Sequence, residues 1–531
     1  MTRARRCFAL ALILALPAPT LACPWHKSLE IFGFWGPSIW ASQDELESLF
    51  GPVNTKPHPV VEVAGGPPQV GAWSPPEDWP VIAIHGSVLP TGDVLHYSYP
   101  GGGPGSLAVL WNPTSGLFTD VSFDVDVFCS GLSLLADGRL YVTGGNDYDC
   151  DFQGRDVTQS FDPFTQQWED LDPMVTGRWY PSNTALGDGR TMILSGLDRV
   201  CKNAPEMEIY TPGLGLELIP EGAIVGPLYP RLHLLSSGLV AHVGPQPQTL
   251  TFDPVARQWL FISDQAEPGR WDGTSFLVPG YPDQIVTCGG SGNNPPTSSC
   301  ERIDFSTPTP TWAPTGSMNF AKSHADVLVL PNGTVLSMGG GTTDLYGNPV
   351  LNPEIYDPDT GQWTVLPAHV YGRMYHSTTL LLADGRVLVA GQDFGESAFK
   401  GEVYSPAYLF NGPRPTIAAA PGSVGYDEAF EVVTPEAADI ANVVLIAPST
   451  VTHSVNTGQR YVELAFTQSS GSLSVTSPPN GNHAPPGYFM LFLVNSAGVP
   501  SVAEFVRVGP ANVFLDGFES GDTSRWSATT P

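Results

Sequence analysis

Five residues able to do redox or metal chemistry stand at one repeated offset in this chain. Cys129, Tyr180, Tyr229, His324 and His376 each lie nine residues before a turn glycine: Gly138, Gly189, Gly238, Gly333 and Gly385. Tyr375 adjoins the last of them. Packing alone would not select a thiol, two phenols and two imidazoles for equivalent places, so the set points to a shared site. Imidazoles with anionic oxygen donors in a tetragonal arrangement suit Cu(II). Thiolates would favour zinc or Cu(I), and this set holds only one cysteine. The zinc spacings C-x-x-C and H-E-x-x-H are absent as motifs, as are a Walker loop, a dinucleotide fingerprint after a strand and a G-x-S-x-G elbow. A hydrolase would need a positioned carboxylate pair or an open zinc site, and neither appears as a motif.

A repeat of about fifty residues has to position these side chains. A turn-and-strand element recurs as "LPTGDVLHYSYPGG", "LADGRLYVTGG", "LGDGRTMILSG", "LSSGLVAHVGP", "LVPGYPDQIVTCGG", "LPNGTVLSMGG" and "LADGRVLVAG". A second element follows each copy, as in "TQSFDPFTQQWEDL" and "PEIYDPDTGQWTVL". The period is that of kelch repeats. Each unit reads as a four-stranded antiparallel blade, and radial closure protects the strand edges. The expected fold is all-β: a seven-bladed kelch-type β-propeller over residues 76–412. Equivalent strands ring the axis of such a propeller, so the nine-residue offset points at a common space. After "YLFNGPRPTI" the repeat stops. Short alternating strands over 413–510 read as a small immunoglobulin-like β-sandwich. Residues 23–75 are irregular, and 511–531 form a polar, flexible tail.

Composition bounds the partners. The net charge is −29 with only 14% charged residues. Such a chain is repelled by phosphate backbones and anionic lipid heads, which argues against nucleic acid. Residues 1–22 carry Arg3, Arg5 and Arg6 before an apolar run and a small-residue site, the pattern of a secretory signal. "TLAC" weakly suggests lipid modification at Cys23. No later stretch is long and apolar enough to span a membrane. A secreted or periplasmic monomer in an oxidising compartment is expected, and disulfides persist there. Cys288 and Cys300 flank a short loop that a disulfide could close. Cys150 and Cys201 each lie five residues after a repeat glycine, Gly145 and Gly196, and form a plausible second pair. Cys129 is left without an obvious partner. On its own it reads as a buried thiol, just as a single Tyr180 reads as a packed aromatic and a single His376 as a core histidine. Tyr229 and His324 divide evenly between pocket lining and packing.

Four motifs then resemble the copper radical oxidases, the family that includes galactose oxidase and glyoxal oxidase. "DVFCSG" resembles its cysteine motif, "GRWYPS" that of its cross-linked tyrosine, "GRMYHSTTLLLADGR" its axial Tyr-His pair, and "VTHSVNTGQRYVEL" its C-terminal histidine loop. "PPGYFMLFLVNSAGVPSVAEFVRV" resembles that domain's closing strands. The resemblance implies a Cu(II) centre held by Tyr180, Tyr375, His376 and His453. It implies a thioether joining Cys129 to Tyr180, with a radical on the modified ring, and Tyr375 as the base for the substrate's hydroxyl proton. Oxygen would leave as hydrogen peroxide. The stretch "SGLDRVCKN" has Asp198 near the place where galactose oxidase carries a stacking tryptophan. Trp179, in "RWY", and "LYPRLHLL" are instead similar to the glyoxal oxidase type. The fifty residues after the signal are too few for galactose oxidase's extra carbohydrate-binding domain. These departures favour small aldehydes, as hydrates, or simple primary alcohols over galactose. A galactose oxidase-type activity on sugar alcohols and a silent kelch binding module are the alternatives.

Overall fold

The computed structural model describes residues 56–100, 105–147, 150–291, 295–343, 347–393 and 396–510. The signal segment, Cys23 and the tail 511–531 lie outside the described residues, as does the side chain of Cys150.

Seven antiparallel sheets follow one another around an axis. Their innermost strands are His85–Val88, Gly131–Leu134, Ser182–Ala185, Leu232–Leu234, Thr274–Val278, Ser323–Val329 and Ser377–Leu381. We number blades 1 to 7 in that order. Each innermost strand turns into the second strand through a glycine with φ between +77° and +92°, from Gly92 in blade 1 to Gly385 in blade 7. That conformation is costly for a residue with a Cβ, which explains why Gly recurs there. Blade 7 takes its outer strands from the start of the chain. Ala72–Trp73 pairs with Tyr404 and Ser405, and Glu77–Asp78 pairs with Lys400 and Gly401. The propeller therefore begins slightly before the expected residue 76. Two-residue strands leave no periodicity to read.

The sandwich has a five-stranded sheet, with strands such as Ile440–Ile446 and Gly487–Asn495, and a three-stranded sheet containing Ala429–Val433. The run "YFMLFLVN" is apolar throughout because both its faces are buried. Phe489, Leu491 and Leu493 face Val432 and Leu473 inside the sandwich. Met490, Phe492 and Val494 instead join Leu328, Leu381 and Tyr404 of the propeller in one core. The domain is thereby fused to the propeller and sends a hairpin along its axis. Thr450–Thr452 pairs with His85–Val88 as an extra inner strand of blade 1, and Val455–Asn456 returns beside it. Among the described residues no helix is long and apolar enough to cross a membrane.

Candidate active site

The repeated offset has a backbone counterpart. Cys129, Tyr180, Tyr229, Asp272, His324 and His376 supply one residue each from blades 2 to 7, and all have φ between +44° and +65°. For residues with side chains this left-handed conformation costs roughly 1–2 kcal/mol each. It persists only where surrounding structure over-determines it. Part of that structure is a chain of backbone bonds between ring members. Tyr180 N donates to Cys129 O at 2.9 Å, Tyr229 N to Tyr180 O at 2.9 Å, and His324 N to Asp272 O at 2.8 Å.

A second restraint is a buried ion pair repeated in four blades. Arg178–Glu208 (3.0 Å), Arg270–Glu301 (2.9 Å), Lys322–Glu354 (3.4 Å) and Arg373–Glu402 (2.9 Å) are almost fully enclosed. The cation stands two residues before Tyr180, Asp272, His324 and Tyr375 respectively. The glutamates also accept from backbone amides of the incoming loop, as Glu402 does from Val370 N and Tyr371 N. The doubled glycines of the preceding blade complete the clasp. Gly145 N donates to Arg178 O at 2.9 Å and Gly340 N to Arg373 O at 2.6 Å. A side chain on Gly144 or Gly339 would collide with those same carbonyls. In these four blades, then, the segment leading to the axial position is clamped while the axial side chain is presented inward.

The hairpin adds His453 to this ring. Thr452 pairs with Val455, so His453 and Ser454 form a two-residue loop, with φ of +49° and +63°. Positive φ at both central residues matches a type I′ turn, which suits the twist of a tight hairpin. His453 Nε2 lies 2.7 Å from His376 Nε2, and Cys129 Sγ lies 3.5 Å and 3.9 Å from those two atoms. The Tyr180 and Tyr375 hydroxyls meet each other. All five side chains are buried.

The far nitrogens of both imidazoles are already engaged. His376 Nδ1 bonds Asp393, and Tyr99 donates to that carboxylate at 2.8 Å. His453 Nδ1 lies 2.6 Å from Thr452 Oγ1, whose own hydrogen goes to Ile84 O at 3.2 Å. Each Nδ1 is therefore the donor, which leaves lone pairs on the two facing Nε2 atoms. Two imidazoles with their Nε2 atoms aimed at each other beside two phenol oxygens form a donor set for a cation of the Cu(II) type. Burial, followed by Cys129 and Tyr375, pushes the Tyr180 phenol well above its ordinary value. Burial likewise raises the Cys129 thiol and lowers His453. A divalent cation among these donors reverses that preference and makes phenolate stable. The residues present thus fit copper.

Other candidates fall into different places. Trp179 and Tyr229 pack on Tyr180 at interplanar angles of 31° and 28°, with ring centroids at 4.1 Å and 4.6 Å. The Tyr229 hydroxyl donates to Ser130 O at 3.0 Å, so its ring covers the site and its oxygen serves the backbone. Asp198 is spent on its own loop, accepting from Val200 N and Lys202 N. His324 packs edge-on to Tyr375 at 5.2 Å. Cys288 and Cys300 form a disulfide. Cys201 is exposed, and its expected pairing rests on Cys150, outside the described side chains. Asp272, Tyr99, Asp393 and Thr452 escape a reading by offset. Blade 5's glycine, Gly280, comes one residue early, whereas "GRWYP", "GRWDG" and "GRMYH" align directly on their Gly-Arg pair and would have found Asp272.

The chain is similar to several known proteins. Residues 272–407 match the family model for the glyoxal oxidase N-terminus, and 414–508 match the galactose oxidase-like early set domain. A galactose oxidase of Gibberella zeae is 29% identical over 83% of this chain and 71% of its own. An aldehyde oxidase of Vitis pseudoreticulata is 31% identical over 72% of this chain and 82% of its own. A fungal alcohol oxidase of the AA5 family, solved in complex with copper, superposes with a TM-score of 0.75 at 26% identity. That match covers 83% of this chain and all of the fungal one.

Proposed function

This chain is a member of the galactose oxidase and glyoxal oxidase family of copper radical oxidases, and from that premise we propose that it oxidises small aldehydes, as hydrates, or simple primary alcohols, passing two electrons to O2 to give hydrogen peroxide. The observation that carries the proposal is the convergence of Cys129, Tyr180, Tyr375, His376 and His453 on one buried point of the axis. His376, His453, Tyr180 and Tyr375 would hold copper, which supplies a one-electron couple beside a radical on Tyr180.

The chain's own residues divide the remaining work. Cys129 sulfur bonds to a ring carbon of Tyr180; the thiol and ring hydrogens leave, and O2 accepts the two electrons. Trp179 and Tyr229 cover the modified ring and keep water from it. Asp393 and Thr452 hold the two imidazoles in the tautomer that presents Nε2. Tyr375 takes the proton of the substrate's hydroxyl. We read residues 1–22 as a secretory signal, and the Cys288–Cys300 disulfide suits the oxidising compartment it leads to.

The test is intact mass. The mature chain, loaded with Cu(II) in air and then treated with a disulfide reductant, should weigh two hydrogens less than the copper-free chain. Cys129→Ser and Tyr180→Phe should each abolish that loss. An unchanged mass, with no peroxide from any aldehyde or alcohol, would sink the proposal.

A further inference from the structure

His324 belongs to the axial ring, yet it lies outside the cluster formed by Cys129, His376 and His453, whose ligand atoms lie within 4.8 Å of one another. It is buried, and its ring meets Tyr375 edge-on at 5.2 Å. Its Nε2 stands 3.6 Å from Asp272 Oδ2, and that carboxylate's side chain is 42% exposed. Asp272 is the blade 5 member of the ring, and its own carbonyl accepts from His324 N at 2.8 Å. Both residues carry positive φ, 57° and 58°. Two strained neighbours thus place an imidazole between the half-exposed carboxylate and the tyrosine assigned as base. Trp271, partly exposed beside Asp272, marks the same side as open to solvent.

A primary alcohol brings one hydroxyl to such a site, and an aldehyde hydrate brings two. We propose that His324, steadied by Asp272, receives the second hydroxyl of a hydrated aldehyde while Tyr375 receives the first. His324 is then a substrate-contacting residue that sets the preference between hydrate and alcohol, and Asp272 is a positioning residue. The reaction balances as R–CH(OH)2 + O2 → R–COOH + H2O2. His324 holds a hydrogen bond throughout and gains or loses no proton overall. The inference rests on the proposed oxidase reading.

A hydroxyl bonded by a buried group is discriminated strongly, because its loss leaves that group unpaired. Peroxide release should be compared for methylglyoxal, largely hydrated in water, and hydroxyacetone, its matched primary alcohol. His324→Phe should lower kcat/KM for methylglyoxal by about 10- to 100-fold, the cost of leaving a buried hydroxyl without its hydrogen-bond partner. Hydroxyacetone should change less than about 3-fold, and His324→Gln should restore part of the loss. The Zn(II)-loaded protein cannot turn over, and its calorimetric affinity for methylglyoxal should fall in step. Equal losses on both substrates, or none, would overturn the inference and leave the oxidase reading standing. Wild-type turnover of alcohols alone would overturn it too. Peroxide from neither substrate class would overturn the oxidase reading itself. Copper affinity and the thioether mass must match wild type in His324→Phe; if they fall instead, His324 belongs to the metal's support and the inference is wrong.

Discussion

At the scale of single residues, the two imidazoles differ in how they are held. His453 leans on its neighbour Thr452, whereas His376 depends on a carboxylate that arrives from the loop after the second strand of blade 7. Asp393 fixes the tautomer and strengthens the donor, so Asp393→Ala should weaken copper binding about 10- to 100-fold. Competition with a chelator checks this, and an unchanged affinity would show that packing alone orients the ring. The candidate site was legible in the sequence because four of its five residues, all but His453, occupy or adjoin the repeat offset. Asp393 and Tyr99 were not. Tyr99 lies near the end of the strand Val94–Pro100 and Asp393 in a loop, both away from the repeat offset, and only folding brings Tyr99 from blade 1 against Asp393 from blade 7.

At the scale of elements, what counts is the clasp that precedes each axial residue. Arg373 reaches Glu402 and also donates to the carbonyls of Gly391 and Lys400, which ties two strands, Val387–Gly391 and Lys400–Ser405, to the segment before Tyr375. Removing one partner of a fully buried pair strands the other charge. Arg373→Ala should therefore cost about 3–5 kcal/mol in urea unfolding. Glu402→Gln should cost less, since its amide oxygen can still accept from Arg373. Equal costs would mean that the pair acts through charge and that the retained amide oxygen and volume count for little. The blade count was readable from turn glycines and second-strand runs. The ion pairs were not read, because each cation lies in a connecting segment and its glutamate on a strand about thirty residues on, and nothing local couples them. The hairpin bearing His453 was placed only by resemblance. Outside the repeat, no offset could show that this loop enters the axis.

At the scale of the whole molecule, many ionisable groups are buried in their neutral form, and stability should follow pH accordingly. Burial lowers His96 and His233 to about 3, and His242 and His369 to about 4. Between those values and 6.5 the unfolded chain binds protons that the folded one refuses. Stability is thus lost as pH falls below about 6.5, at up to about 1.4 kcal/mol per pH unit for each group. Asp326 has the opposite sign. Burial raises it to about 8, so the folded chain keeps a proton that the unfolded one releases above about 4. Its contribution is lost as pH climbs to 8. Calorimetric Tm should show a steep acid limb and a gentle decline between pH 6.5 and 8. Asp326→Asn, able to keep the bond from Thr379, should flatten that decline. An unaltered slope would mean that Asp326 is ionised in the folded protein. The hairpin also governs timing. Cys129 waits in blade 2 for a histidine 324 positions later, carried by a loop that pairs only with blade 1. The cluster of Cys129, His376 and His453 is thus complete only once that hairpin has docked, and a copy lacking the C-terminal domain holds its thiol without His453. A metal held by both imidazoles would therefore bind only a molecule whose C-terminal domain has docked and closed the ring.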